Sequence, residues 1–281
     1  MGADRPEAQS SGTWGSGEAA AEWRRGAAAR LEAFGPATEL MLDLAGVKTG
    51  SRVLDVGAGA GDSALMAARR AGPGGHVLAT DISASMLEIA MESARHDGLA
   101  NVSTQVADAQ HLDLASDSFD AAISRNCLML VPDYRRALAE IRRVLKPGSR
   151  FAAIVFSIAD RCPYLAIPHA IAFRLGRLTS PRLGEFGEFR LGAPGILHDV
   201  FSSAGLHDVR VHTVPIRHRF PTLSDAMQYA RGPLPLRELM TRLSPSEQDQ
   251  AWAEIERALA QFVGPTGYDS PCELLIAVGM K

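Results

Sequence analysis

The sequence is poor in cysteine. Of its 281 residues only Cys127, Cys162 and Cys272 are cysteines, an odd number, scattered, with no C-x-x-C spacing. That argues against a disulfide framework and a zinc site and suggests a reducing compartment. A charge imbalance is missing too: 29 basic side chains face 32 acidic ones, net charge -3, which gives no electrostatic case for nucleic acid as the main partner. No apolar run reaches the length of a membrane span. The longest candidates are 151–159 and 164–175, the second interrupted by Pro168 and His169. Residues 1–17 lack the apolar segment of a signal peptide and read as a disordered tail. There is no internal repeat. These absences predict a soluble, cytoplasmic protein. A hydrophobic share of 46% suffices for one enlarged domain, or one domain and a cap.

Against this background one stretch stands out. Val53-Leu54-Asp55-Val56 is an apolar strand pattern that runs into Gly57, Gly59 and Gly61, and an alanine-rich helical pattern follows from Ser63. Strand, tight glycine turn and helix form the opening unit of a nucleotide-type α/β fold. Glycine there permits positive φ and lets a ligand lie against the main chain. The dinucleotide fingerprint G-x-G-x-x-G fits at Gly57 and Gly59, but Asp62 stands where its third glycine belongs. An acidic side chain at that helix start repels a pyrophosphate. Asp55 is a carboxylate in an otherwise apolar strand, expensive to bury unless paired. A ligand carrying an ammonium group accounts for both.

Asp55-x-Gly57-x-Gly59-x-Gly61 resembles motif I of the class I S-adenosylmethionine-dependent methyltransferases. The chain from about Gly46 to Phe156 resembles their small-molecule branch, which includes the ubiquinone and menaquinone methylases. The resemblance implies a Rossmann-like, seven-stranded, mostly parallel α/β sheet with helices on both faces and a helical lid built from insertions. It implies S-adenosylmethionine as cofactor and a small organic acceptor, methylated on oxygen, carbon or nitrogen. Asp55 then stands near the methionine ammonium, Gly57 and Gly59 let the main chain touch the cofactor, and Asp81, ending the second strand, holds the ribose hydroxyls. Ile82 and Met86 flank the adenine, Asp108 accepts from its 6-amino group beside Ala109, and Arg125 (through its backbone) and Asn126 lie near the methionine end. Methyl transfer from a sulfonium needs no metal; proximity, alignment and exclusion of water suffice. A general base is needed only if the acceptor must lose a proton, and His169 and His218, both in the expected lid, are the candidates.

In order, the expected parts are the tail 1–17, covering helices in 18–46 (one over 18–34 carrying Trp23, a second opened by Pro36), the cofactor-binding core 47–157, a lid insertion 158–191, a core helix and strand 192–214, a helical lid insertion 215–271 and a last strand 272–281. Trp23 and Met86 are each either core or ligand-facing. Two rivals remain: an NAD-dependent oxidoreductase, and a non-catalytic S-adenosylmethionine-binding regulator.

Overall fold

The computed structural model describes residues 26–178, 187–232 and 234–281. The expected tail, Trp23 and the rest of 18–25 lie outside the described residues. The first described helix, α1 (Ala27–Ala45), is one element and not two, and Pro36 sits inside it. Proline removes one helical hydrogen bond. The buried stripe Ala33, Phe34, Ala37, Met41, Leu42 nevertheless runs unbroken across it, and tertiary packing of such a face outweighs local propensity.

The core alternates as its sequence pattern demands: β1 (Arg52–Val56), α2 (Asp62–Ala71), β2 (His76–Asp81), α3 (Ala84–His96), β3 (Val102–Val106), β4 (Phe119–Arg125), α4 (Tyr134–Val144) and β5 (Leu145–Phe156). Ser83 caps α3, its hydroxyl accepting from the Met86 N–H at 3.3 Å, and Asp133 caps α4 by accepting from the Arg136 N–H. There follow α5 (Pro163–Leu175), α6 (Ile196–Ser203), β6 (His207–Phe220), α7 (Leu223–Ala230), α8 (Leu234–Met240), α9 (Pro245–Leu259), β7 (Val263–Gly264) and β8 (Gly267–Met280).

The sheet order is β3-β2-β1-β4-β5-β8-β6, with the two-residue β7 added beside β8. β1 to β5 are parallel, while β8 runs antiparallel to both β5 and β6. Chain order reverses between β1 and β4, so the carboxyl ends of these two strands flank the crevice where such sheets bind ligands. Fully buried Leu54, Phe119, Ile123, Leu138 and Phe151 form the centre of the core.

Two boundaries differ from expectation. β6 was expected to end by 214, before the lid insertion, and extends through Pro215 to Phe220, because it is an edge strand paired only with β8, where a residue without an N–H is tolerated. β8, expected from Cys272, likewise starts at Gly267. β5 accompanies β8 only from Leu274 on, so the outer halves of β6 and β8 stand beyond the sheet as a two-stranded arm, and α7, α8 and α9 arise from its tip. A separate cluster of Tyr164, Phe220, Tyr268, Ile255 and Leu259 packs around this arm. The fold also gathers two of the scattered cysteines: the Cys272 thiol donates to Cys162 Sγ at 3.3 Å, both residues buried.

Candidate cofactor and acceptor site

The glycine turn is pinned before any ligand arrives. The N–H groups of Gly57 and Ala58 both donate to the Thr80 carbonyl, at 2.8 and 2.9 Å, tying the end of β1 to the end of β2. Gly57 has φ +69, and a Cβ there would meet Cys127 Sγ at 2.1 Å and its Cβ at 2.4 Å. Its bare face is therefore turned to Cys127. Gly59 is the more open position: φ is +54, and a Cβ there would have Met86 Cε as its nearest neighbour, at 3.8 Å.

Three carboxylates surround the turn, each in a different state. Asp55, fully buried, accepts from the Ser63 hydroxyl at 2.7 Å through Oδ2, and its Oδ1 has no partner. Burial pushes its pKa up to about 7, against the opposing pull of the Ser63 hydrogen bond and Arg125. Asp81 accepts from the Gly59 N–H at 2.8 Å and the Ser83 N–H at 2.9 Å; burial raises its pKa despite these backbone donors. Each of its oxygens retains a further lone pair for a hydroxyl. At Asp62 burial acts to raise the pKa, but Arg125 and Arg30 outweigh it and hold the carboxyl below the usual range.

That last state corrects the sequence argument. Asp62 Oδ2 lies 2.8 Å from Arg125 and 2.8 Å from Arg30, so its charge is neutralised twice over and does not repel an anion as expected. Sequence reasoning treated Asp62 in isolation; the two arginines that meet it come from α1 and β4, too distant along the chain for any spacing rule to reveal. The Arg125 side chain points away from the expected methionine end, toward Asp62, the Thr38 hydroxyl at 3.3 Å and the Phe34 ring at 5.8 Å.

Beyond Arg125, Asn126 adopts φ +54, and its buried Oδ1 has no partner. At the far side Ile82, the residue after β2, and Val106, ending β3, are 39% and 57% exposed. Large apolar side chains left open at strand ends form a surface for a flat apolar ring. Met86 is buried against Ala60 and Ile89. Asp108 is exposed and already bonded by Gln110, through its amide side chain at 2.9 and 3.0 Å and its N–H at 2.9 Å; Ala109 is buried.

The two histidines differ. His218, on β6, is buried between Phe34 and Tyr164, with ring centroids 5.7 and 4.9 Å away. Burial lowers its pKa to about 4, so the ring is neutral at pH 7. His169, on α5, donates from Nδ1 to the Leu165 carbonyl at 2.8 Å, which fixes its tautomer. Its Nε2 faces Glu188 Oε2 at 3.2 Å. Burial raises the pKa of Glu188 and His169 opposes it. Glu188 was missed from sequence because it stands in a segment without periodicity. That segment is fixed by Arg190, which donates to the Val131 and Pro132 carbonyls at 3.0 and 3.2 Å, and by Phe189 against Phe156. Cys127 is half-buried, and burial with nearby Asp81 and Asp55 pushes its thiol up to about 12, so it is no thiolate nucleophile.

A glycine turn at the switch point, a carboxylate ending β2 and open apolar side chains beside the strand ends are accompanied by a family match: residues 47–176 match the family described as "Methyltransferase domain". The chain resembles the ubiquinone/menaquinone biosynthesis C-methyltransferases UbiE. It is 37% identical to that of Vibrio campbellii over 145 residues, 51% of this chain and 54% of that protein, and 42% identical to that of Bordetella parapertussis over 113 residues, 40% and 43%. The chain thus spans about half the length of the curated relatives it matches. Among solved structures, the YcgJ protein of Bacillus subtilis superposes with TM-score 0.58 at 21% identity, over 87% of this chain and 97% of that one. A putative methyltransferase of Bacillus halodurans gives 0.59 at 16%, over 87% and 98%. Both share the fold.

The residues present suit S-adenosylmethionine, the cofactor that the resemblance implies. The unpartnered Asp55 Oδ1 and Asn126 Oδ1 are acceptors at the inner end, where an ammonium has donors to give, and Asp81 and the Ile82–Val106 surface suit a ribose and a purine. Among the described residues no helix is long and apolar enough to cross a membrane.

Proposed function

We propose that this protein transfers the methyl group of S-adenosylmethionine to a small, partly apolar organic acceptor, quinone-like or of secondary-metabolite type. The observation that carries the reading is the pair of buried, unpartnered acceptors Asp55 Oδ1 and Asn126 Oδ1 at the ends of the two strands that bracket the switch point. A buried polar atom without a partner costs roughly 1–3 kcal/mol, and a ligand that donates to both removes that cost.

The bound cofactor supplies an already activated methyl group. Asp55 and Asn126 anchor its amino-acid end, Asp81 its ribose, Ile82, Met86, Asp108 and Ala109 its base, and Gly57 and Gly59 shape the turn beneath it. The acceptor side is closed by α5, residues 187–192 and the arm with α7–α9. Its walls, Phe34, Phe156, Phe189 and Tyr164, are aromatic, which favours a flat apolar acceptor. Of the two histidines, His169 is the better base. Neither ring has a hydrogen-bond partner at Nε2, but that of His169 faces Glu188 Oε2 at 3.2 Å, whereas the ring of His218, neutral at pH 7 and enclosed by Phe34 and Tyr164, serves to hydrogen-bond a ligand.

Calorimetric titration with S-adenosylmethionine, S-adenosylhomocysteine and NAD tests the reading. Micromolar binding of the first two but not NAD, then methyl transfer in a screen of phenols, quinols and amines, is the expected result. Binding of neither by folded protein, or of NAD alone, overturns it; binding without transfer to any acceptor makes the protein a cofactor-binding regulator.

A further inference from the structure

Two of the three thiols form a pair, although they stand 110 positions apart in the chain. Cys162 is the N-cap of α5, and Cys272 lies on β8 opposite Ile216 of β6, just outside Leu274, where β5 ends its pairing with β8. Their sulfurs are in contact. The Cys272 thiol donates to Cys162 Sγ at 3.3 Å, and the Cys162 thiol donates in turn to the Glu273 carbonyl at 3.3 Å. That carbonyl also accepts from the Ser157 N–H at 3.0 Å. The pair therefore stands where the exit of β5, the start of α5 and the root of the arm meet.

The two sulfurs are unequal. The hydrogen bond from Cys272 holds the Cys162 thiol below its usual pKa against the opposing effect of burial. Its place at the positive end of a 13-residue helix favours a thiolate as well. Donation to Cys162 and burial push Cys272 up. Both residues are closed to solvent, at 0 and 2% exposure, but the segment leading into Cys162 is lightly held. The turn Ala159–Arg161 buries none of its residues and is closed by its own backbone, Arg161 N–H to the Ile158 carbonyl and Cys162 N–H to that of Ala159. Such a segment opens locally without unfolding the rest.

We propose that Cys162 and Cys272 are a redox modification site: hydrogen peroxide converts the pair to a disulfide that ties α5 to the arm, and a dithiol reductant restores it. The inference stands apart from the cofactor reading. Cys162 attacks one peroxide oxygen as its thiolate; the O–O bond breaks, hydroxide leaves and takes up a proton, and Cys162 is left as a sulfenic acid. Cys272 then attacks that sulfur while its proton passes to the departing hydroxide, so the S–S bond forms, the S–O bond breaks and water leaves. In sum the two thiols lose two electrons and two protons, and peroxide becomes two waters. The bond joins the helix that carries His169 to the strand pair from which α7, α8 and α9 arise. In a reducing compartment a bond of this kind is transient and redox-sensing. Cys127 lies apart, against Gly57.

The test exposes the folded full chain briefly to a small molar excess of hydrogen peroxide, then alkylates it in denaturant and maps the peptides. The expected product is a Cys162–Cys272 disulfide, lighter by two hydrogens and reversed by dithiothreitol, with Cys127 alkylated. Hydrogen exchange of 163–175 should slow at least about tenfold in the oxidised form. In Cys272→Ala the reaction should stop at a Cys162 sulfenic acid, trapped by dimedone, without that slowing. Three free thiols after exposure overturn the proposal, as does over-oxidised Cys162 beside a free Cys272, a bond through Cys127, or a disulfide that forms only in denaturant. A disulfide that leaves exchange in 163–175 unchanged overturns the tie between α5 and the arm.

Discussion

The two sides of the proposed site are built in opposite ways. The cofactor side consists of short contiguous pieces, 55–62, 81–86 and 106–109, each at the end of a strand. Backbone N–H groups and carboxylates do its work, as when Gly57, Ala58 and Gly59 bond to Thr80 and Asp81. The proposed acceptor side is drawn from α1, α5, residues 187–192 and β6, where aromatic rings and imidazoles pack against one another. A cofactor shared across a family fixes one side through main-chain geometry, which tolerates little change. The other side is side-chain packing, which does.

The sharpest way to break this contrast is Gly57→Ala. The new methyl would have to displace Cys127 while the backbone holds φ +69, a combined cost of about 2–6 kcal/mol from strain and overpacking. Chemical denaturation should show it, and Cys127→Gly in the same chain should recover part of it. Asp81→Ala is expected to weaken S-adenosylhomocysteine binding by about 1.5–3 kcal/mol with little change in melting temperature; unchanged affinity would mean the ribose lies elsewhere.

Asp55 gives a pH signature. Its folded pKa of about 7 lies above the ordinary 3.8, so the folded state holds the proton more tightly. The stability this contributes is present at low pH and is lost as pH rises from about 4 through 7. A cationic ligand favours the carboxylate, so its binding releases a proton below pH 7, and affinity should rise by up to about tenfold per pH unit there. Calorimetry in buffers of different ionisation enthalpy reads both, and Asp55→Asn should abolish the dependence. The smallest expected effect on the cofactor side is that of His169→Gln: binding should change by less than about 0.5 kcal/mol, while the pH profile of transfer to any proton-losing acceptor shifts. A large loss of cofactor affinity in that variant would erase the distinction between the two sides.

The same division explains what was legible in the sequence. Where local signals and tertiary context agree, residues announced the structure: the strand, glycine turn and helix from Val53 through Ser63, and Asp81 at the end of β2. Pro36 and Pro215 misled because a continuous buried stripe overrode the first and an edge position accommodated the second. The Arg30–Asp62–Arg125 cluster, the His169–Glu188 pair and the Cys162–Cys272 contact were invisible, since each joins elements whose proximity only the sheet order creates.

The arm of β6 and β8 has an evolutionary consequence. Phe220 and Tyr268 are directly paired, so the chain leaves the sheet to build α7, α8 and α9 and returns on the adjacent rung. A segment whose two ends meet is a cassette: it can be lengthened, shortened or exchanged for another without moving any strand of the core. If the insert closes the acceptor side as proposed, recruitment to a new acceptor can proceed by swapping it while β1 to β5 stay in place.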